Sequence, residues 1–180
     1  MNRVNILTLA KYVGLSVISK GEKVSPLKQQ KLLYYIQAWH MVLMRSRDEQ
    51  LFDEVPEAWV NGPVYPVVYK EYRDKTGNMC DSLSCTDFGA ENEDAILGKI
   101  SELYSEMQLT PDQVNIIDSV ITLYGTKTQN QLIFLTHSEK PWSEARGTLL
   151  PFEKSDKQIS LDTMFAYYKA RYDRNRANNA

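Results

Sequence analysis

The sequence predicts a mainly α fold: a single compact helical domain with a short turn or strand-containing segment around residues 57-66 and a C-terminal helix. Three observations lead there. Apolar residues recur at helical spacing through most of the chain. Helix-start signals stand where those stretches begin, as in Ser25-Pro26 and Thr110-Pro111-Asp112-Gln113. At 180 residues, 43% of them hydrophobic and 24% charged, the chain suits one sizeable soluble core better than two very small ones.

Asn5 is the expected N-cap of a first helix carrying Ile6, Leu9, Ala10, Val13 and Val17, with a polar outer face and Gly21 as its stop. Ser25-Pro26 opens a second helix that runs to about Arg45. There Leu32, Leu33, Tyr34, Tyr35, Ile36, Ala38, Trp39, Met41, Val42, Leu43 and Met44 leave almost no polar face, so this is the expected central, buried helix. Between Glu57 and Tyr72 a tryptophan and a rigid turn lead into an aromatic stretch. Gly62 can reach backbone angles closed to other residues, while Pro63 biases it away from the helical region and locks its own φ. Asn61-Gly62-Pro63 therefore reads as a tight turn feeding a helix. In that helix Val64, Val67, Val68 and Tyr72 share a stripe, with Tyr65, Tyr69 and Lys70 beside it.

From about Asp74 to Asn92 the periodicity lapses among Gly77, Asn78, Ser82, Ser84, Asp87 and Gly89, which predicts a loop with room for a short strand. Ile96, Leu97, Ile100, Leu103, Tyr104 and Met107 then make an amphipathic stripe. A capping box from Thr110 to Gln113 starts the next helix, which bears Val114, Ile117, Val120, Ile121 and Tyr124 and ends at Gly125. Two antiparallel helices with a short connection are expected. Thr126 and Gln129 repeat the capping-box spacing ahead of Leu132, Ile133 and Leu135, and the helix should give way over Thr136–Trp142. Pro151 marks a further break. Ser160 caps a last helix with Leu161, Met164, Phe165, Tyr168 and Tyr172 on one face, before a polar tail from Arg174 to Ala180 that should fray.

A net charge of −2 supplies no global attraction to nucleic acid or to an anionic membrane. Lys169, Arg171, Arg174 and Arg176 cluster near the end of the last helix and could touch phosphates, but cations stabilising a helix C-terminus are the simpler reading. No second, basic helix follows a short turn, so a helix-turn-helix is not supported and nucleic acid is not an expected partner. No stretch is apolar enough to span a bilayer. The start from Met1 to Asn5 runs into an amphipathic pattern rather than a signal peptide, which points to the cytoplasm and to no membrane partner.

Cys80 and Cys85 are expected as free thiols. Together with His40 and His137 they add up to a zinc-site inventory, but the spacing and the distance between elements argue against a metal. His137-Ser138-Glu139 offers a base, a nucleophile and a carboxylate, yet adjacent residues rarely converge on one point. Thr136 or His137 should instead hydrogen-bond loop backbone before Pro141. With no glycine-rich phosphate loop, H-E-x-x-H or paired carboxylates, neither catalytic residues nor a cofactor are assigned and the chain does not read as an enzyme.

Three blocks carry a family resemblance: Lys31-Leu32-Leu33-Tyr34-Tyr35-Ile36-Gln37-Ala38-Trp39, the run from Glu57 to Tyr69, and Leu135-Thr136-His137-Ser138-Glu139-Lys140-Pro141-Trp142. In that order they resemble the Panacea domain, a SocA-like or GepA-like family common in prophages and other mobile elements. The resemblance implies a domain over 4-146, with 147-180 as a C-terminal helical extension outside it. It further implies an antitoxin of a toxin-antitoxin system, whose partner is a cognate toxin neutralised by direct contact. The alternative, which one branch of the family suggests, is an adaptor or interaction protein that delivers a partner to a Clp-type protease. An uncharacterised enzyme ranks third, and oligomeric state is left open.

A docking protein needs exposed aromatic anchors on a rigid frame. The candidate partner-binding residues are Trp59, Asn61, Gly62, Pro63, Tyr65, Tyr69, Thr136, His137 and Trp142 in the family-like blocks, with Tyr168, Lys169, Arg171 and Tyr172 in the last helix. Tyr34, Tyr35 and Trp39 belong to the most apolar helix and are expected in the core. For Trp59, Tyr65, Tyr69 and Trp142 the alternation of apolar and polar neighbours leaves core and surface both open.

Overall fold

The structure, a computed structural model, describes residues 3–178. Over these residues the chain forms helices packed around one central helix, with a single short antiparallel hairpin. Helix α1 (Ile6–Ser19) starts where Oδ1 of Asn5 accepts from the amides of Leu7 (2.9 Å) and Thr8 (3.1 Å). It stops at Gly21, whose φ is 76°. Its expected polar outer face is largely absent, because Tyr12, Gly14, Leu15 and Ser16 are buried as well. The reason is packing on several sides: α1 meets the central helix, α4 (Ile96–Met107), α5 (Pro111–Tyr124) and a 3-10 turn at Cys85–Phe88. Gly14 permits that last approach, since a Cβ there would lie 2.4 Å from the ring of Phe88.

The central helix is α2 (Pro26–Leu43), buried along nearly its whole length as its apolar content predicts. Its few polar side chains are buried too, and they clamp the irregular chain around it. Gln37 donates to the carbonyl of Phe52 and accepts from the amide of Leu51, both at 2.8 Å. His40 Nδ1 donates to the carbonyl of Glu49 (2.8 Å), while Gln29 reaches a neighbouring helix instead, donating to the Ala10 carbonyl of α1 (3.1 Å). Non-helical backbone packed against a core must find such partners, because an unpaired buried amide or carbonyl is costly.

Strands β1 (Glu57–Trp59) and β2 (Gly62–Val64) pair antiparallel, with Glu57 opposite Val64, Ala58 opposite Pro63 and Trp59 opposite Gly62. The expected turn is therefore the tip of a hairpin. Pro63 lies in a strand, and α3 (Pro66–Tyr72) begins three residues later than a turn-to-helix reading places it. The segment from Asp74 to Asn92 holds the 3-10 turn where a short strand had room. Helices α4 and α5 do not pair chiefly with each other: α4 packs on α1 and α5 on α2. Gln108, at φ 50°, and the buried Leu109 redirect the chain between them.

Helix α6 (Gln129–Ser138) uses the box Thr128–Gln131, not Thr126–Gln129. It yields at the single residue Glu139, where α7 (Lys140–Arg146) begins. Thr136 and His137 thus sit in the last turn of a helix rather than in a loop. Helix α8 (Leu161–Asn178) packs on α2 and α7 with Leu161, Met164 and Tyr168 buried. The tail expected to fray stays helical from Arg174 to Asn178, while Asn179 and Ala180 lie outside the described residues.

Candidate functional site

The hairpin is held on both edges. In an antiparallel ladder, residues directly opposite each other alternate between bonded and non-bonded pairs. The outer groups of Ala58 show that Ala58 and Pro63 form a non-bonded pair. Its amide donates to the carbonyl of Lys157 (2.8 Å), and its carbonyl accepts from Arg146 Nη1 (3.1 Å). The missing N–H of Pro63 is consequently not needed by the ladder. The segment at Gln158 bridges Glu57, so β1 has a short second neighbour on its other edge.

The edge of β2 is covered by α2. Gln30 Oε1 accepts from the amide of Tyr65 (2.8 Å), and Lys31 Nζ donates to the carbonyl of Pro63 (3.0 Å). Lys31 is fully buried, and burial pushes its ammonium down to about 7. Gly62, at φ 98°, rests directly on Lys31 and Thr136.

Around this frame the predicted residues fall into two groups. Trp59, Asn61, Gly62, Pro63, Tyr69, Thr136, His137 and Trp142 come together at the hairpin. Trp59 is half-buried, donates to Glu57 Oε2 (2.7 Å) and meets Tyr69 edge-on at 4.7 Å. Asn61 is exposed at the tip, whereas Gly62, Pro63 and Thr136 are buried. The hydroxyl of Thr136 donates back to the carbonyls of Leu132 and Ile133 within α6, both at 3.0 Å, so it does not serve loop backbone. His137 stacks on Trp142 at 3.9 Å, and Trp142 Nε1 donates to the carbonyl of Trp59 (2.9 Å). Burial and then the Lys31 charge push the His137 imidazole below its ordinary value, against an opposing pull from the Val60 backbone. Arg146 also lies over the Trp142 ring, its guanidinium 5.1 Å from the ring centre.

The second group lies on α8, where Tyr168 and Arg171 reach Glu139. This carboxylate is 3% exposed and accepts from Tyr168 (2.5 Å), Arg171 (3.1 Å) and Tyr35 (3.3 Å). Burial raises its pKa, opposed by those donors. Lys169 is exposed and paired with Asp173, and Arg176 lies over the ring of Tyr172. Tyr65 and Tyr168 are fully buried, so neither offers side-chain surface to a partner in this conformation.

Beside the hairpin lies a cleft of ≈ 710 Å³, floored by Trp59, Val60, Val64, Tyr69 and Leu27 and bounded by Lys154–Asp156. The loop that forms this bound is pinned by Arg146, whose Nη2 donates to the carbonyls of Leu150 (2.7 Å) and Glu153 (2.8 Å). It also presents Leu150 and Phe152 at 70% and 89% exposure. The arrangement can bind apolar surface. Among the described residues no group of three or more His, Cys, Asp or Glu is placed to hold a metal ion.

Reading the sequence missed Gln30, Lys31, Glu139, Arg146 and the 150–156 loop. Polar residues inside an otherwise apolar helix were the available signal for the first two. Long-range contacts alone reveal the others.

The family model described as antitoxin SocA-like, Panacea domain matches residues 30–143. That span includes Lys31, the hairpin, His137, Glu139 and Trp142, and stops before Arg146 and the loop it pins. No curated protein and no solved structure matches the chain.

Proposed function

The chain belongs to the SocA-like antitoxin family with the Panacea domain, and on that premise we propose that it is an antitoxin neutralising a toxin encoded beside it by direct protein contact. The observation that carries the reading beyond family membership is the cleft with half-buried Trp59 and Tyr69 on its floor, bounded by a loop that exposes Leu150 and Phe152 further along its length. Rigid aromatic side chains bury much area at small entropic cost, which suits them as anchors in an interface. Both hairpin edges are tied, so the frame is organised before the partner arrives, which lowers the ordering cost of binding. The partner-facing residues in this reading are Trp59, Asn61, Tyr69, Leu150 and Phe152, while Gly62, Pro63, Thr136, His137 and Trp142 hold the frame.

Co-expression with the adjacent small gene tests it. Growth should be rescued when that gene alone is toxic, and the two proteins should purify as a stoichiometric complex. Protection at sub-stoichiometric amounts would point to catalysis instead. Rescue that depends on a Clp-type protease in the host would favour the adaptor role. A harmless neighbour with no complex would remove the reading.

A further inference from the structure

A second cavity, of ≈ 530 Å³, opens between residues 21–28, the Cys80–Ser82 loop and the start of α6. Its lining is polar and locally basic: Lys23, Lys28 and Lys127 face it against one carboxylate, Glu22, in a chain whose net charge is −2. Among the described residues no carboxylate lies within ion-pair distance of these three lysines.

Lys28 is the informative one. It is only 5% exposed, its ammonium makes no hydrogen bond among the described residues, and burial pushes its pKa down with Glu22 pulling the other way. An ammonium on a largely buried side chain, with no hydrogen-bonded counter-charge, gains when an anion arrives.

The start of α6 faces the same space. Gln131 Oε1 takes the amide of Thr128 (2.8 Å) and Thr128 Oγ1 takes that of Gln131 (3.3 Å), while the amide of Leu132 reaches the carbonyl of Thr128 (3.1 Å). Among the described residues the amides of Gln129 and Asn130 have no hydrogen-bond partner, and both residues line the cavity. At a helix N-terminus such free amides favour an anion. Ser25 fixes the site's shape, its hydroxyl donating to Gln129 Oε1 at 2.7 Å and so tying the start of α2 to that of α6.

We propose that this cavity binds a phosphate-type oxyanion, carried by a small phosphorylated molecule or free in solution. Lys28, Lys23 and Lys127 balance its charge, and the Gln129 and Asn130 amides with the Thr126 hydroxyl take its oxygens. The lining contains no aromatic ring to stack a base, so the phosphoryl group is what the site reads.

The test is an amide-resolved NMR titration of the whole chain with inorganic phosphate in a phosphate-free buffer, with chloride at matched ionic strength as control and phosphoserine as a second probe. Saturable shifts of the Gln129 and Asn130 amides with phosphate and not with chloride are expected. Lys28→Met and Lys127→Met should each weaken binding about tenfold, as loss of one charge-assisted hydrogen bond implies. Tighter binding of phosphoserine identifies a phosphomonoester as the ligand, and equal binding identifies free phosphate. Absence of saturation, shifts matched by chloride, or undiminished binding by both variants would overturn the proposal. Lys127 is only half-buried at the surface, so its variant keeps the test meaningful even where Lys28→Met perturbs folding.

Discussion

At Gly62 the backbone sits at φ 98°, and a Cβ would lie 2.8 Å from both Lys31 Cε and Thr136 Oγ1. Backbone strain and steric contact therefore act together, and Gly62→Val should cost about 1–3 kcal/mol in urea unfolding, with the hairpin amides shifted most. Beneath it, Lys31 gives stability a particular pH dependence. Its folded pKa is lowered to about 7 from 10.5. Below about pH 7 both folded and unfolded chains hold the proton, and the penalty of burying the charge is complete. As pH rises from there towards 10.5 the unfolded chain still holds the proton while the folded chain does not, so stability rises with pH across that window. Unfolding free energies measured through this range should climb less steeply for Lys31→Met, by up to about 1.4 kcal/mol per pH unit. Equal slopes would show that Lys31 is not the titrating group. The special backbone at Gly62 was legible, since glycine before proline marks it. The lysine under it was not, because nothing in a local window shows that α2 lies beneath the hairpin.

Between α6 and α7 a single residue, Glu139, ends one helix, starts the next and receives Tyr35, Tyr168 and Arg171. Glu139→Ala would leave two tyrosine hydroxyls and a guanidinium without their acceptor. It should cost about 3 kcal/mol, discounted for the partial exposure of Arg171, and is checked by thermal or urea unfolding. The same contacts bear on α8. A chain ended before Ser160 loses Leu161, Met164 and Tyr168 from the core and uncovers Glu139, so we expect a poorly folded product, read as lost near-ultraviolet dichroism and collapsed amide dispersion. A well-folded truncated domain would instead support treating 147-180 as a separable extension. Helix starts show why boundaries slipped: Thr126–Gln129 and Thr128–Gln131 are overlapping boxes of equal local merit. The choice falls to the second because Gln129 Oε1 is taken by Ser25, 104 residues away in the chain.

For the whole molecule, partner binding and folding should separate at the exposed loop that bounds the cleft. Phe152 is 89% exposed, so Phe152→Ser should leave the unfolding midpoint nearly unchanged while weakening neutralisation in the co-expression assay, in line with a loss of 1 kcal/mol or more at an aromatic anchor. Undiminished rescue would move the contact away from the cleft. By itself the sequence determined the α class, the caps at Asn5, Ser25 and Thr110, the buried run through Tyr34 and Tyr35, and the family, since periodicity, capping and motif order are all local or linear properties. Only the tertiary structure decided that Trp59 and Tyr69 floor a cleft while Tyr65 and Tyr168 disappear into the core. It also decided that α4 and α5 part company, that Lys31 and Arg146 bind distant backbone, and that Glu139 gathers distant side chains. Exposure and polar pairing depend on what the rest of the chain brings alongside, and an amphipathic stripe is the same in sequence whether its partner is the protein's own core or another molecule.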